Sequence, residues 1–375
     1  MSTKKRPRLQ EQQQQQQKDD DDVHLELVVA GCGAGDTAVY HGEASSCFLL
    51  RARRVSGGTA AGRRRGPAPP ATTTPLLVVD LGFGAQRAIA ALCAGGVFPP
   101  STPVYISHNH SDHSAELPVV ASVERARRVA EAASGAEAAV SPALDVIAEL
   151  AVLDKLAHRR LDELLSTGLP LSAFVTMRLV EADRPPLPPV LGGAAAAARR
   201  TIFSLDALGP PPPPPLPWEL GLWPRAARHS EPCYGFVLYA RRRKRPRPQE
   251  EEEEDGAAAD GGWTPILGWG GDSGADEQHY RALAIAPLAF IDARPGEGTP
   301  EHASVAQVLE ACRPGGALAR CRRVVLYGHG DARARAEAAA LVVGAAAANG
   351  GGPAVEVAAP GLVVAVPWRE CEDGE

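Results

Sequence analysis

Apolar and polar positions along the chain fall into short runs bounded by Gly and Pro, interleaved with stretches of helical period. The regular pattern begins at His24, where HLELVVAG predicts a strand running into a turn with Gly31, Gly33 and Gly35. SSCFLLRAR at 45–53 predicts a second strand. PLLVVDLGFG at 75–84 is a continuous apolar run that predicts a buried strand ending in a turn. AQRAIAALCAGG after it has the spacing of a short helix closed by Gly. PVYIS at 103–107 is the next strand. From 119 to 166 the pattern is mostly helical, with one strand expected at 144–149 (LDVIAE). CYGFVLYARRR at 233–243, TPILGWGGD, APLAFIDAR and RRVVLYGHG supply further strands, and PAVEVAAPGLVVAVP is expected to end the pattern as a hairpin.

Low-complexity tracts interrupt this order. Residues 1–22 run basic, then poly-Gln, then poly-Asp; such a segment has little to bury and is expected to be disordered. Residues 51–75 predict an expanded hairpin loop rich in Arg, Gly and Pro. Residues 184–228 are Pro-rich, and the run Pro210 to Pro215 must be extended polyproline. Residues 241–262, basic and then acidic, predict a solvated insertion between two hairpin strands. Strand pairs, intervening helices and low-complexity loops together suit one α/β domain spanning about 23–370 better than two.

Composition adjusts the picture in four respects. The chain has 375 residues, 45% of them hydrophobic, which is enough to bury a core. Much of that content is Ala and only 5% is aromatic, so a core of small aliphatic side chains is expected. A net charge of -6 argues against attraction to nucleic acid through overall charge, without excluding a local basic surface. Seven Cys at scattered positions form no C-x-x-C pair, which fits a reducing compartment. No run approaches a membrane span, and the opening is wrong for a signal or transit peptide. A cytoplasmic location is expected, with a nuclear one left open by Lys4, Lys5, Arg6 and Arg8.

The chemistry concentrates in VYISHNHSDHSAELP. Here His108, His110, Asp112 and His113 stand within six residues, in a chain with ten His in all. Three imidazoles and a carboxylate are the nitrogen-plus-hard-oxygen set that a divalent transition metal takes. The cluster follows a strand, so His108 and His110 share a side if the backbone stays extended. Ser111 is then placed to cap a helix carrying Asp112 and His113 on its first turn. Three more ligand-type residues sit at strand ends: His229 in RHSEPCYGF, Asp272 in GWGGDSG and His329 in VVLYGHGD. Loops at one edge of a sheet commonly build such a site.

With H-x-H-x-D-H, VVDLGFG, HSEPCYGF, GGDSG and the closing VEVAAPGLVVAVP in hand, the chain resembles the metallo-β-lactamase superfamily, in particular its ribonuclease Z-like branch. The resemblance runs from about His24 to Pro367. It implies an αββα four-layer sandwich with two zinc or other divalent ions at its open edge. By that resemblance His108, His110 and His229 would hold one ion, Asp112, His113 and His329 the other, and Asp272 would bridge them. Asp112 would also orient a metal-activated water, and His302, in TPEHASVAQ, is the candidate proton donor to the leaving group. The activity implied is hydrolysis of a phosphodiester, in RNA or a small molecule; the alternative is a thioester, lactone or other small ester. A mono-iron oxygenase on the same fold is a rival that a complete second ligand set argues against. A homodimer is compatible with this reading, and no membrane association is expected.

Departures from the branch are also visible. Glu116 replaces a Gly after the cluster, which is expected to alter the substrate mouth, and FIDARPGEG carries Asp292 and Arg294 where the branch has H-E-A-T. The region 119–228 is a candidate cap over the metals. The Arg groups at 51–54, 63–65 and 241–245 are expected to be solvated loop rather than phosphate contacts.

Overall fold

The computed structural model describes residues 23–35, 40–54, 72–134, 143–182, 202–208, 216–243, 262–346 and 351–367. The expected disordered tail, the polyproline run, the basic N-terminal cluster and Arg63 to Arg65 lie outside the described residues. The strands are β1 (Val23–Gly31), β2 (Cys47–Arg54), β3 (Thr72–Val79), β4 (Val104–Tyr105), β5 (Leu144–Ala148), β6 (Val175–Leu179), β7 (Phe203–Ser204), β8 (Trp218–Ala226), β9 (Tyr234–Arg242), β10 (Thr264–Trp269), β11 (Leu288–Asp292), β12 (Arg323–Tyr327), β13 (Ala354–Val357) and β14 (Val363–Ala365). They form two mixed seven-stranded sheets, ordered β14-β1-β2-β3-β4-β5-β6 and β13-β12-β11-β10-β9-β8-β7. In the first sheet the β3 to β6 pairings are parallel; in the second, those of β10 to β13 are.

Strand periodicity explains the layering. Along β1, Val23, Leu25, Leu27 and Val29 face the interior between the sheets, while Val28 and Ala30 face the helices. That outer face packs against residues of the helices Ala85–Leu92, Leu117–Ala133 and Leu150–Lys155. The second sheet's outer face packs against residues of Glu277–Leu283, Val305–Ala311 and Ala332–Ala346. Strands buried on both faces read as the near-continuous apolar runs seen in the sequence. The result is an αββα four-layer sandwich, the architecture that the resemblance implied.

Between the sheets the core differs from the small-aliphatic one expected. Several aromatics are gathered there: Phe48 packs edge-on against Trp269, Phe290 and Tyr327 at centroid distances of 5.9, 5.8 and 5.2 Å. Composition counts aromatics; the fold decides where they meet.

Four further expectations are corrected. The closing segment is not a hairpin: β13 pairs in parallel with β12 and β14 antiparallel with β1, so residues 358–362 cross from one sheet to the other. Both halves of the segment are strands, but pairing partners are a long-range choice. The region 119–228 is not simply a cap, since β5 and β6 extend the first sheet and β7 and β8 complete the second. β8 carries Pro224, which reads as a breaker; β7 reaches only Leu222 and Gly221, so on that side Pro224 has no ladder bond to give. Finally, Arg residues expected to be solvated loop belong instead to the strands expected at 45–53 and 233–243. Arg51 and Arg53 lie on β2 and both pair with the buried Glu26, while Arg241 and Arg242 lie on β9, Arg241 pairing with Glu219. No helix among the described residues is long and apolar enough to cross a membrane.

Truncating Phe48 to Ala leaves a cavity among three aromatics and is expected to cost about 3–5 kcal/mol. The check is the shift in the urea unfolding midpoint; a change below about 1 kcal/mol would contradict this ring's central place.

Candidate metal centre

The site lies where the C-terminal ends of parallel strands from both sheets open to one edge, the usual place for a site in an open α/β sheet. β3 leads to Asp80, β4 to His108, β10 to Asp272 and β12 to His329, while β11 ends at Asp292. The imidazole rings of His108, His110 and His229 form a near-equilateral triangle with centroids 4.7 to 4.8 Å apart. Potential ligand atoms lie within 4.8 Å of one another in three overlapping groups: His108, His110 and His229; His108, His113 and Asp272; His229, Asp272 and His302.

Asp80 organises this cluster, and the sequence pattern gave it no role of its own. It is fully buried and holds a left-handed backbone at φ 60°. One carboxylate oxygen accepts from Ser107 N–H at 2.8 Å; the other accepts from Ser107 Oγ at 2.9 Å and faces His113 Nδ1 at 2.7 Å. Ser107 Oγ in turn lies 2.9 Å from His108 Nδ1. With both Nδ1 atoms engaged by this chain, both Nε2 atoms are left for the site. A carboxylate behind an imidazole is the standard way to fix a ligand's tautomer and aim. Gly82, two residues on, is required by close packing: a Cβ there would lie 1.8 Å from the carbonyl oxygen of Asp112.

Two observations show that the residues fit a cation. His108 Nε2 and both ring nitrogens of His229 are buried with no hydrogen-bond partner, a costly state for polar atoms that a metal ion relieves. His113 Nε2 faces Asp272 at 3.2 Å and Asp112 at 3.7 Å, two carboxylates converging on one point. Burial disfavours a charged His113, but Asp272, Asp112 and Asp80 outweigh it and hold its affinity for a proton well above the ordinary level. In that arrangement a proton occupies a place that a divalent ion would contest. Burial, aided by the neighbouring imidazoles, pulls His229 down to about 4 and His108 in the same direction, which favours the neutral rings that a metal ion requires.

The other expected residues fall differently. Asp112 also accepts from Gly35 N–H at 2.7 Å, which ties the first Gly-rich turn to the cluster. The imidazole of His329 stands outside the three groups. Its Nδ1 lies 2.8 Å from Ala293 O and its Nε2 2.8 Å from Leu326 O. His302 joins the site: its Nδ1 is 2.7 Å from Asp292 Oδ2 and 3.7 Å from Asp272 Oδ2, and its Nε2 is 2.8 Å from Arg294 Nη2. Burial and the Asp272 charge raise Asp292 to about 6. Ser111 is the first residue inside the short helix Ser111–Ser114, with His110 as its cap residue.

The carboxylate of Glu116, expected to alter the substrate mouth, is engaged at a helix end. It accepts from Gly84 N–H at 2.7 Å and Gln86 N–H at 2.6 Å, capping the helix Ala85–Leu92. A negative charge at a helix N-terminus satisfies otherwise orphaned donors. Behind the cluster, Lys155 pairs with Glu231 at 2.7 Å, and Glu231 lies 3.6 Å from His110 Nε2.

These features define an α/β sandwich of two mixed sheets with a histidine- and aspartate-rich candidate metal centre. Among solved structures it is similar to the metallo-β-lactamase fold protein YhfI from Bacillus subtilis, at 15% identity over 91% of this chain and 99% of that one, with a TM-score of 0.48. It is also similar to unliganded yeast PDE1 at 13% identity over 92% and 99%, TM-score 0.49, and to a diphosphatase from the PhnP family at 12% identity over 91% and 97%, TM-score 0.46. Similarities at this level carry no argument about activity, and the fold rests on the topology given above. No family model matches the chain, and no curated protein matches it.

Asp80→Asn keeps the shape but removes the charge behind His113. It is expected to weaken binding of a divalent ion about 10–100-fold, measured by competition with a chromophoric chelator. Unchanged affinity would remove Asp80 from its organising role.

Proposed function

We propose that the chain is a divalent-metal-dependent hydrolase, with zinc as the leading metal and a phosphodiester, in RNA or a small molecule, as the leading substrate class. The observation that carries the reading is the convergence of His108, His110, His113, His229 and Asp272, with ring nitrogens of His108 and His229 buried and unpartnered. His108, His110 and His229 would hold one ion. His113 and Asp112 would hold a second, with Asp272 between the two and His329 added if its ring leaves the carbonyls of Ala293 and Leu326. When bound, such ions supply Lewis acidity and bring a water's ionisation toward neutral pH.

The chain's own residues then divide the remaining work. Asp80 and Ser107 keep His108 and His113 aimed into the site. Asp112, fixed by Gly35 N–H, sits at the rim of the ligand set, where a carboxylate can orient a water. His302, held by Asp292, is the group placed to hand a proton to a leaving oxygen. The fixed Asp292–His302 pair supports this role, since a base or acid held by a carboxylate keeps one tautomer and one orientation.

Two measurements test the reading. Chelation should abolish hydrolysis of bis(4-nitrophenyl) phosphate, and a divalent metal should restore it. Activity that survives full metal removal would overturn the proposal. In a parallel panel, turnover of a thioester or lactone without the phosphodiester would select the alternative substrate class. Asp272→Ala is expected to lower turnover to near background, because the shared ligand is lost; retention of most activity would contradict its bridging place.

A further inference from the structure

Arg294 is a chemistry-bearing residue at the site that the proposed reaction leaves unused. Its backbone is fixed: its N–H donates to Ala303 O at 2.9 Å, its carbonyl accepts from Val305 N–H at 2.8 Å, and it forms an isolated bridge with Ser304. The half-buried side chain makes one hydrogen bond among the described residues, from Nη2 to His302 Nε2 at 2.8 Å. His302 Nδ1 faces Asp292 and its Nε2 faces Arg294, so the imidazole stands between the guanidinium and that carboxylate. Arg294 Nε is buried without a partner, and among the described residues no carboxylate pairs with the guanidinium.

The contrast with other cations near the cluster is informative. Lys155 is neutralised by Glu231 at 2.7 Å; Arg160, whose Nε is likewise buried without a partner, gives its Nη2 to two oxygens, Asn109 O at 2.9 Å and Ser111 Oγ at 3.3 Å. Arg294 touches only the imidazole of His302, with Asp292 on that ring's far edge. A half-buried guanidinium with no carboxylate in direct contact is under-paired, more so beside a candidate site for divalent cations. An anionic ligand supplies the missing charge, and the planar donor fork of Arg suits two oxygens of a phosphate better than one carbonyl.

We propose that Arg294 is the anion anchor of this site, gripping the non-bridging oxygens of an anionic phosphodiester beside His302, and so setting preference for charged over neutral esters. The proposal rests on the hydrolase reading above. A neutral ester offers the same bond to the metal centre but nothing for Arg294 to pair with. The anchor therefore acts on the choice between substrates.

The test compares metal-loaded full-length wild type, Arg294→Gln and Arg294→Lys on bis(4-nitrophenyl) phosphate and neutral 4-nitrophenyl acetate. The ratio of the two kcat/KM values cancels any shared effect transmitted through His302. Arg294→Gln should lower the ratio at least about 30-fold, mainly through KM for the phosphodiester, with partial recovery in Arg294→Lys. Inorganic phosphate should bind at least about 10-fold more weakly to Arg294→Gln by calorimetry. A ratio that stays constant, with both activities falling together, would reduce Arg294 to a positioning residue for His302 and overturn the anchor. If the wild type hydrolyses neither ester yet Arg294→Gln still weakens phosphate binding, the hydrolase reading falls and the anchor stands.

Discussion

One buried carboxylate holds the candidate centre in order. Asp80 lies at the end of β3, without solvent, in a left-handed backbone conformation that non-glycine residues seldom take. It fixes His113 directly and His108 through Ser107, so ligands from the loop after β4 depend on a residue from a different strand. Burial pushes the Asp80 carboxyl upward, while the His113 and Ser107 contacts draw it back. Its charge is worth keeping in the interior only because those partners are present. The same turn is sewn to the metal loop by Leu81 N–H to His113 O at 2.7 Å and Glu116 N–H to Leu81 O at 2.9 Å.

The sandwich serves this arrangement by bringing two sheets to one edge. The first sheet delivers Asp80 and the H-x-H-x-D-H loop; the second delivers His229, Asp272, Asp292 and His302. Two of the three groups, His108 with His110 and His229, and His108 with His113 and Asp272, draw on both sheets. Packing between the sheets therefore holds the candidate centre together as well as the fold. The aromatic cluster on Phe48 and the hydrogen bond from Tyr327 Oη to Gly271 O at 2.7 Å lie directly under the Asp272 turn. Similarly, Tyr105 Oη donates to Tyr234 O at 3.0 Å, tying β4 of one sheet to β9 of the other beside His229.

The departures from the ribonuclease Z-like pattern resolve into two kinds. Glu116 is architectural, since its charge is consumed in capping the helix Ala85–Leu92. Asp292 and Arg294 stand instead on opposite edges of His302, one fixing the ring and the other presenting a positive charge beside it. A sequence comparison treats the three changes alike. Only their positions relative to helix ends and the imidazole separate a cap from a component of the site.

The sequence by itself determined the local matters: strands with period-2 burial, the helix closed after AQRAIAALCAGG, and a ligand set whose residue types are rare enough to be informative together. His108, His110 and His113 were legible because they are adjacent in the chain and chemically distinctive. Tertiary structure decided what depends on distance. It split the closing strands between two sheets, made strand of Trp218–Ala226 despite its proline, and turned His329 toward backbone carbonyls. It also gave Asp80 and Asp292 their roles. A buried carboxylate is an ordinary letter in a sequence, and its function is set by which nitrogen it faces once the two sheets have closed.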